Sequence, residues 1–257
     1  MQPPRRVSPP RNWRYLKIWE AVRNQALPEL PKHFRSAIQI SGIQATEIYT
    51  FGAVLSAAIE EEVVRTLNNL RDLWDPEQEH PDAQFVRQPQ RFPDVLLIDR
   101  AREQILFGIE LKSWYLLAKE GEPSFRFTVT PNACTPADLL VIVPWTLSFA
   151  VAGAPTVFAP FVESARYIAQ YRNYWWQAVR QTTDDPTIRS PENAKPYPSA
   201  RERIADVPVY DPGRNFGRIA RIGIMDAYIQ QCLNAPLLGI PIQEWRDFFR
   251  KASKLSR

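Results

Sequence analysis

Histidine and cysteine are scarce in this chain, and their scarcity excludes several kinds of catalytic site. The 257 residues include only two histidines, His33 and His80, and two cysteines, Cys134 and Cys232. With these as the only two histidines, zinc hydrolase motifs, a Ser–His triad and His-based nuclease sites are nearly excluded. The cysteines lack Cys-x-x-Cys spacing, so neither a zinc ribbon nor a disulfide framework is expected. Hydrolytic chemistry must therefore rest on carboxylates, lysine, tyrosine or a bound ion.

Long apolar runs are also missing from the sequence. No run of about 18 apolar residues occurs, so a transmembrane helix is not expected. Residues 1–6 lack the apolar core of a signal peptide. We therefore expect a cytoplasmic protein with no membrane partner.

The balance of basic residues favours arginine. The formal net charge is +4, and of the 32 basic residues seven are lysine and 25 are arginine. Arginine suits bidentate contacts with phosphates and guanine edges, which favours a nucleic-acid partner. A GC-rich genome would produce the same bias, so both explanations stay open.

Two apolar runs that contain charged residues form the most informative pattern in the chain. Residues 91–100 and 103–112 are rich in Val, Ile, Leu and Phe and are separated by a short charged spacer, which predicts two neighbouring β-strands. Asp94 opens the first strand. Glu110 and Lys112 lie two residues apart in the second, so they project from one face of it.

These side chains predict a metal-dependent site for phosphodiester hydrolysis. Mg²⁺ prefers hard oxygen ligands and keeps several waters, so the carboxylates of Asp94 and Glu110 with the carbonyl of Leu111 are a sufficient protein shell. Lys112 can hold the attacking water and stabilise negative charge in the transition state. The alternative is an ion pair of Glu110 with Lys112 at a sheet edge, with no catalytic role.

The remaining pattern predicts one α/β domain over residues 1–257, with a sheet flanked by helices. Residues 1–11, rich in Pro and Arg, are expected to form a flexible arm, and residues 182–257 a long loop and C-terminal elaboration. The catalytic core is expected over about 45–180. Its predicted elements are a helix over about 45–74, an antiparallel meander from 84 to 112, a short strand over 125–129, a buried strand over 138–145 and a helix over about 161–181.

One carboxylate on the first long helix has an unusual position. On a helical wheel Glu62 falls within the apolar stripe, whereas Glu60 and Glu61 point away from it. A carboxylate on the buried side costs free energy unless it is paired or close to a metal ion. Glu62 is therefore either a further residue of the site or the partner of an arginine.

The two strands together resemble the PD-(D/E)XK nuclease superfamily. The matching residues are Pro93-Asp94, fifteen intervening residues, and then Glu110-Leu111-Lys112. The resemblance implies a restriction-endonuclease-like fold, a central mixed β-sheet flanked by helices. It also implies Asp94 and Glu110 as Mg²⁺ ligands and Lys112 as the catalytic lysine. The acidic helix residue often present upstream in this family would correspond best to Glu62.

The polar face of the helix over 161–181 is a candidate DNA-binding surface. Its residues of interest are Arg166, Gln170, Tyr174 and Arg180. Gln170 and Tyr174 fit the Gln-x-x-x-Tyr pattern of the RecB-like branch of these nucleases, although aromatic packing would also explain Tyr174. A solvated face is the other interpretation. Base contacts are expected from this face, from the arginine-containing stretch over 182–221 or from the C-terminal region.

The function that these features favour is that of a type II restriction endonuclease acting on double-stranded DNA with Mg²⁺. A homodimer is expected, because cutting both strands usually needs two sites. Two alternatives remain: a repair, recombination or transposon-end nuclease of the same fold, and a DNA-binding protein without catalysis. The recognition sequence and the cleavage stagger depend on loops that periodicity does not define.

Overall fold

Helices lie on both faces of a central sheet. The computed structural model describes residues 1–44, 47–88, 90–118 and 123–255. Within these residues the α-helices are α1 (Leu16–Ala21), α2 (Leu27–His33), α3 (Ile48–Asn69), α4 (Arg71–Trp74), α5 (Ala165–Tyr174), α6 (Asp226–Asn234) and α7 (Ile242–Leu255). The strands of the sheet are β1 (Ala83–Arg87), β2 (Val95–Asp99), β3 (Gln104–Tyr115), β4 (Leu139–Leu147), β5 (Pro155–Val157) and β6 (Phe161–Ser164).

The first three strands form an antiparallel meander, which confirms the prediction. β1 pairs with β2, and Arg87 lies opposite Val95. β2 pairs with β3, and Val95 lies opposite Ile109. Because β3 is twelve residues long, it continues well past the start of β2. The edge of β3 beyond Ile109 is therefore accessible to side chains.

The buried strand predicted over 138–145 is confirmed as β4, which lies at the centre of the sheet. All nine of its residues are buried, since both edges are paired and both faces are covered. β3 runs parallel along one edge, with Ile109 opposite Leu139. β5 and β6 pair antiparallel with opposite ends of the other edge. The sheet is therefore mixed, as expected.

α3 covers the face of the sheet that carries Tyr115. The helix predicted over about 45–74 is confirmed as α3 followed by α4; residues 45 and 46 lie outside the described residues. Apolar side chains recur at three- and four-residue steps and are buried at Ile48, Ile59, Val63 and Leu67. A Cβ at Gly52 would come within 2.9 Å of the Tyr115 side chain, so glycine allows this close helix–strand contact.

The loop over residues 125–129 and α5 cover the opposite face of the sheet, which carries Glu110 and Lys112. Neighbouring residues of a strand point to opposite faces, so Trp114 lies on this side and Tyr115 on the other. Phe125 packs edge-to-face on Trp114, with 5.4 Å between the ring centroids.

Arg172 attaches α5 to that loop. Its guanidinium donates hydrogen bonds to the carbonyl oxygens of Phe127 and Val129, at 2.7 and 3.0 Å, and forms an ion pair of 2.5 Å with Asp206. Burial lowers the pKa of Arg172 to about 10, although the Asp206 charge opposes this. The Nε and Nη2 atoms of Arg172 also donate to the Asn173 side-chain oxygen, so each nitrogen of the buried guanidinium has a partner.

The predicted start of the helix over 161–181 is wrong. Phe161–Ser164 forms β6 on the free edge of β4, and the helix begins only after Ser164. The Ser164 hydroxyl accepts a hydrogen bond of 3.3 Å from the amide of Tyr167, which is the usual N-cap arrangement for serine. The helix ends in a π-helical turn at Trp175–Val179.

The short strand predicted over 125–129 does not form. Arg126 and Val129 instead make isolated bridges to Arg218 and Ala205. The loop beyond residue 182 contributes a two-stranded ladder of β7 (Ile188–Arg189) and β8 (Val207–Pro208). These long-range bridges cannot be recognised from local periodicity.

The arm over residues 1–11 contacts the body of the protein. Arg6 Nε lies 3.0 Å from Glu163 Oε2, and Pro9 is buried. Pro9 and Pro10 line an apolar cavity of about 350 Å³ together with Trp13. The flexibility of the arm stays a prediction. In the described part of the chain, no helix has both the length and the apolar character needed to cross a membrane.

Candidate active site

Asp94 occupies the place of a strand partner beside β3. Pro93 has no backbone N–H and cannot extend the ladder, so β2 begins only after Asp94. Leu111 lies just beyond the part of β3 that β2 covers. Its amide donates a hydrogen bond to Asp94 Oδ2 at 3.0 Å. The position of Asp94 is therefore defined by the backbone of β3.

Lys112 joins the two predicted carboxylates. Its Nζ lies 2.5 Å from Oε1 of Glu110 and 3.5 Å from Oδ2 of Asp94. The Lys112 and Asp94 side chains are 25% and 28% exposed, whereas Glu110 is 9% exposed. The ion pair between Glu110 and Lys112 is thus formed, on the part of β3 that β2 does not cover, and a second carboxylate, Asp94, takes part in it. The structure brings the three predicted residues together at a site that solvent can reach.

The protonation of the site follows from burial and from these charges. Burial is the main cause that raises the pKa of Glu110 to about 7; Lys112 opposes this and Asp94 adds to it. Burial alone would lower the pKa of Lys112, but the charges of Glu110 and Asp94 outweigh it and raise that pKa. Lys112 is therefore a protonated hydrogen-bond donor at neutral pH and not a general base.

Glu60 of α3 is a further carboxylate of this site, and the sequence prediction missed it. Its pKa is raised by burial and by the charge of Asp94, while Arg87, Lys112 and the Ser113 amide lower it. Arg87, at the end of β1, forms an ion pair of 2.9 Å with Glu60. We call Glu60, Asp94, Glu110 and Lys112 the carboxylate–lysine cluster. With Arg87 included, the cluster carries one more negative than positive charge when all of its groups are ionised.

Glu62 is paired with an arginine, which was one of the two alternatives that the sequence left open for it. It is 9% exposed, and both of its oxygens accept hydrogen bonds of 3.1 Å from Arg65 on the same helix. The helical wheel placed Glu60 away from the apolar stripe. Val63 and Val64, three and four residues after Glu60, are both buried, so in the structure Glu60 borders the buried face of α3.

Gly108 determines how closely the Pro93–Asp94 segment approaches β3. A Cβ at residue 108 would overlap the ring of Pro93 and lie 3.1 Å from Asp138 Oδ1. The Gly108 amide donates a hydrogen bond of 2.8 Å to the same oxygen. The absence of a side chain at Gly108 therefore permits the observed position of Asp94.

The oxygen donors at the carboxylate–lysine cluster suit a small divalent cation. The N–H and C=O of a strand residue point to the same edge, so the Leu111 carbonyl faces the side on which its amide binds Asp94. No group of three His, Cys, Asp or Glu side chains suited to a metal ion occurs among the described residues. The protein ligands would thus be Asp94, Glu110 and one carbonyl, which fit Mg²⁺ because this ion keeps several waters.

The predicted DNA-binding residues lie on α5 and just beyond it. Arg166, Gln170 and Tyr174 recur at four-residue steps on one stripe of the helix, and each is partly exposed. Tyr174 packs against Tyr171 with 5.9 Å between ring centroids, so the packing alternative also applies. Arg180 lies after the π-helical turn. DNA contact by these four residues stays a prediction.

Comparison of the chain with protein-family models, curated proteins and solved structures gives no significant match.

Proposed function

We propose that the protein is a Mg²⁺-dependent endonuclease that hydrolyses phosphodiester bonds of double-stranded DNA, with the fold and site of a PD-(D/E)XK type II restriction endonuclease. One observation carries the proposal: the Lys112 ammonium group lies between the carboxylate of Glu110 on β3 and that of Asp94, which immediately precedes the adjacent strand β2. The succession of helix, meander, buried strand and helix around this group supports a restriction-endonuclease-like fold.

The groups of the cluster support this proposal. Mg²⁺ held by Asp94, Glu110 and the Leu111 carbonyl would neutralise charge that develops on the phosphoryl oxygens and lower the pKa of water. Lys112 keeps its positive charge at neutral pH because its pKa is raised. Its N–H groups can orient the attacking water and stabilise the transition-state charge. Glu60 adds a carboxylate that can accept a hydrogen bond from water.

The nature of the substrate is inferred from charge and from the surface of α5. The chain contains 25 arginines, and the stripe formed by Arg166, Gln170 and Tyr174 is partly exposed. Arginine contacts to phosphates and base edges suit duplex DNA. We propose a homodimer, since each protomer supplies one site and a double-strand break needs two.

A plasmid digest tests this function. The purified protein is incubated with a sequenced, unmethylated plasmid in Mg²⁺, and in EDTA as the control. We expect discrete fragments in Mg²⁺ and intact plasmid in EDTA. Progressive degradation would favour a repair or recombination nuclease, and binding without cleavage would favour a non-catalytic DNA-binding protein. Cleavage that persists in EDTA would contradict the metal-dependent mechanism.

A further inference from the structure

A second group of positive charges lies in a cavity after α5. The cavity has a volume of about 230 Å³, and its lining residues are Trp175, Trp176, Arg180, Asn215, Arg218 and Arg221. Three of these are arginines and none is acidic. Guanidinium groups bind anions through charge-assisted hydrogen bonds, so the chemistry of the cavity favours an anionic ligand.

Among the described residues, no acidic side chain forms an ion pair with Arg180. Its guanidinium lies over the ring of Trp176, 3.6 Å from the centroid. Its Nε and Nη2 atoms are buried, and neither has a hydrogen-bond partner in the described part of the chain. A buried charged donor without an acceptor costs free energy. An anion in the cavity would offset that cost.

The other arginines are held in place by their own loop. Trp176 packs edge-to-face on the buried Phe216 at 5.2 Å, which fixes the loop against α5. Arg218 Nε donates a hydrogen bond of 3.1 Å to a backbone carbonyl of this loop, and Arg221 donates one of 2.6 Å to the Asn215 side chain. The guanidinium groups are therefore oriented before a ligand binds, which lowers the entropy cost of binding.

The cavity lies on the side of the sheet that carries Lys112. Arg218 forms a β-bridge with Arg126. The neighbouring residue, Phe125, packs on Trp114, which follows Lys112 by two residues and projects from the same face of β3. The cavity and the carboxylate–lysine cluster therefore lie on the same side of the sheet, and a nucleic-acid strand that contacts both would pass over the outside of the loop that covers Trp114.

We propose that this cavity binds one backbone phosphate of the DNA strand, through Arg180 and Arg218, at a distance from the bond that is cleaved. The assignment of DNA as the ligand rests on the proposed function. A phosphate presents only acceptors, which matches a lining of guanidinium donors, whereas a base edge presents donors as well. The Asn215 oxygen already accepts from Arg221. The cavity therefore positions the strand and does not read its sequence.

The test is the salt dependence of DNA binding by the double variant Arg180→Gln, Arg218→Gln. Affinity for labelled duplexes of several sequences is measured by fluorescence anisotropy, with Ca²⁺ in place of Mg²⁺, between about 50 and 200 mM salt. The logarithm of the binding constant falls with the logarithm of salt concentration, and loss of one phosphate contact should reduce that slope by about 1. We expect the same reduction for every duplex sequence. The reduction in slope should be about 1 and not about 2, because the two arginines contact the same phosphate.

The matched control is Arg100→Gln, which removes one exposed charge in the turn at the other end of β2 and should leave the slope unchanged. Circular dichroism checks that the variants are folded, and Arg218→Gln alone serves if the double variant is not. An unchanged slope in the tested variant would overturn the phosphate site. If the wild type still cleaved DNA, the proposed function would not be affected. Another outcome is that the wild type binds DNA and the double variant shows the expected reduction in slope, while the wild type never cleaves. In that case the proposed function fails and the phosphate site is supported. A thermal shift by inorganic phosphate without any DNA binding would overturn the assignment to DNA.

Discussion

The backbone amide of Leu111 donates a hydrogen bond to the carboxylate of Asp94, with 3.0 Å between N and Oδ2. The two neighbours of Leu111 in sequence, Glu110 and Lys112, form the ion pair of the same cluster. Three consecutive residues of β3 thus position the groups of the site, two through side chains and one through the backbone. A change in the register between β2 and β3 would separate Asp94 from all three.

Gly108→Ala should disturb this arrangement without removing any group of the site. The new methyl group would overlap the Pro93 ring, so the segment that carries Asp94 must move. We expect a loss of stability of about 1 to 3 kcal/mol, as is typical of overpacking, and a loss of cleavage by the protein that remains folded. Urea denaturation and plasmid cleavage measure the two effects. Wild-type cleavage per folded molecule would show that Asp94 does not depend on this close approach.

Glu60→Gln and Glu62→Gln form a matched pair on one helix. Glu60 lies at the carboxylate–lysine cluster, and we expect its substitution to lower the rate of plasmid cleavage about 10- to 100-fold, the size of effect typical for residues that support a metal site. Glu62 is paired with the largely exposed Arg65, so Glu62→Gln should retain activity and change stability by less than about 1 kcal/mol. If Glu62→Gln lost activity and Glu60→Gln kept it, Glu62 and not Glu60 would belong to the site.

This pair of glutamates illustrates what the sequence could predict. The common face of Glu110 and Lys112 follows from the two-residue period of a strand, and the meander follows from two apolar runs and a short turn. Both are local properties. Glu60 depends on how α3 lies across β3, and a helical wheel contains no information about which part of the helix meets a partner.

Long-range contacts also explain the other differences from prediction. Phe161–Ser164 pairs with β4 because that strand has a free edge, which no local pattern reveals. The cavity between Arg180 and Arg218 depends on a loop that returns to α5 through Phe216. The sequence placed both arginines in candidate DNA-binding segments, but not in one cavity.

Tyr197→Phe should destabilise the protein more at high pH than at low pH. Tyr197 donates a hydrogen bond of 3.0 Å to Asp138, whose pKa burial raises to about 6 although this hydrogen bond lowers it. Because the folded-state pKa lies above the ordinary value, the contribution of Asp138 to stability is lost as the pH rises through about 6. Removal of the Tyr197 hydroxyl raises the pKa of Asp138 further, so more stability is lost as the pH rises.

The comparison needs urea denaturation of both proteins at pH 5 and pH 8. We expect a destabilisation of about 1 to 3 kcal/mol at pH 8, where the hydrogen bond is made to a charged acceptor, and a smaller one at pH 5. Tyr210→Phe, at a residue that is 47% exposed, is the control and should change neither value. Equal destabilisation by Tyr197→Phe at both pH values would be inconsistent with ionisation of Asp138 in this range.

The central claim is that Asp94 and Lys112 carry out Mg²⁺-dependent hydrolysis of DNA, and the most direct measurement is plasmid cleavage by Asp94→Asn and by Lys112→Ala beside the wild type. Asn keeps an oxygen that can accept the Leu111 hydrogen bond, so the fold should be preserved. Lys17→Ala, which removes a lysine that is 62% exposed, is the control and should cleave normally. We predict that each site variant loses at least about 100-fold in cleavage rate while it still binds DNA. Cleavage near the wild-type rate by either variant would contradict the account.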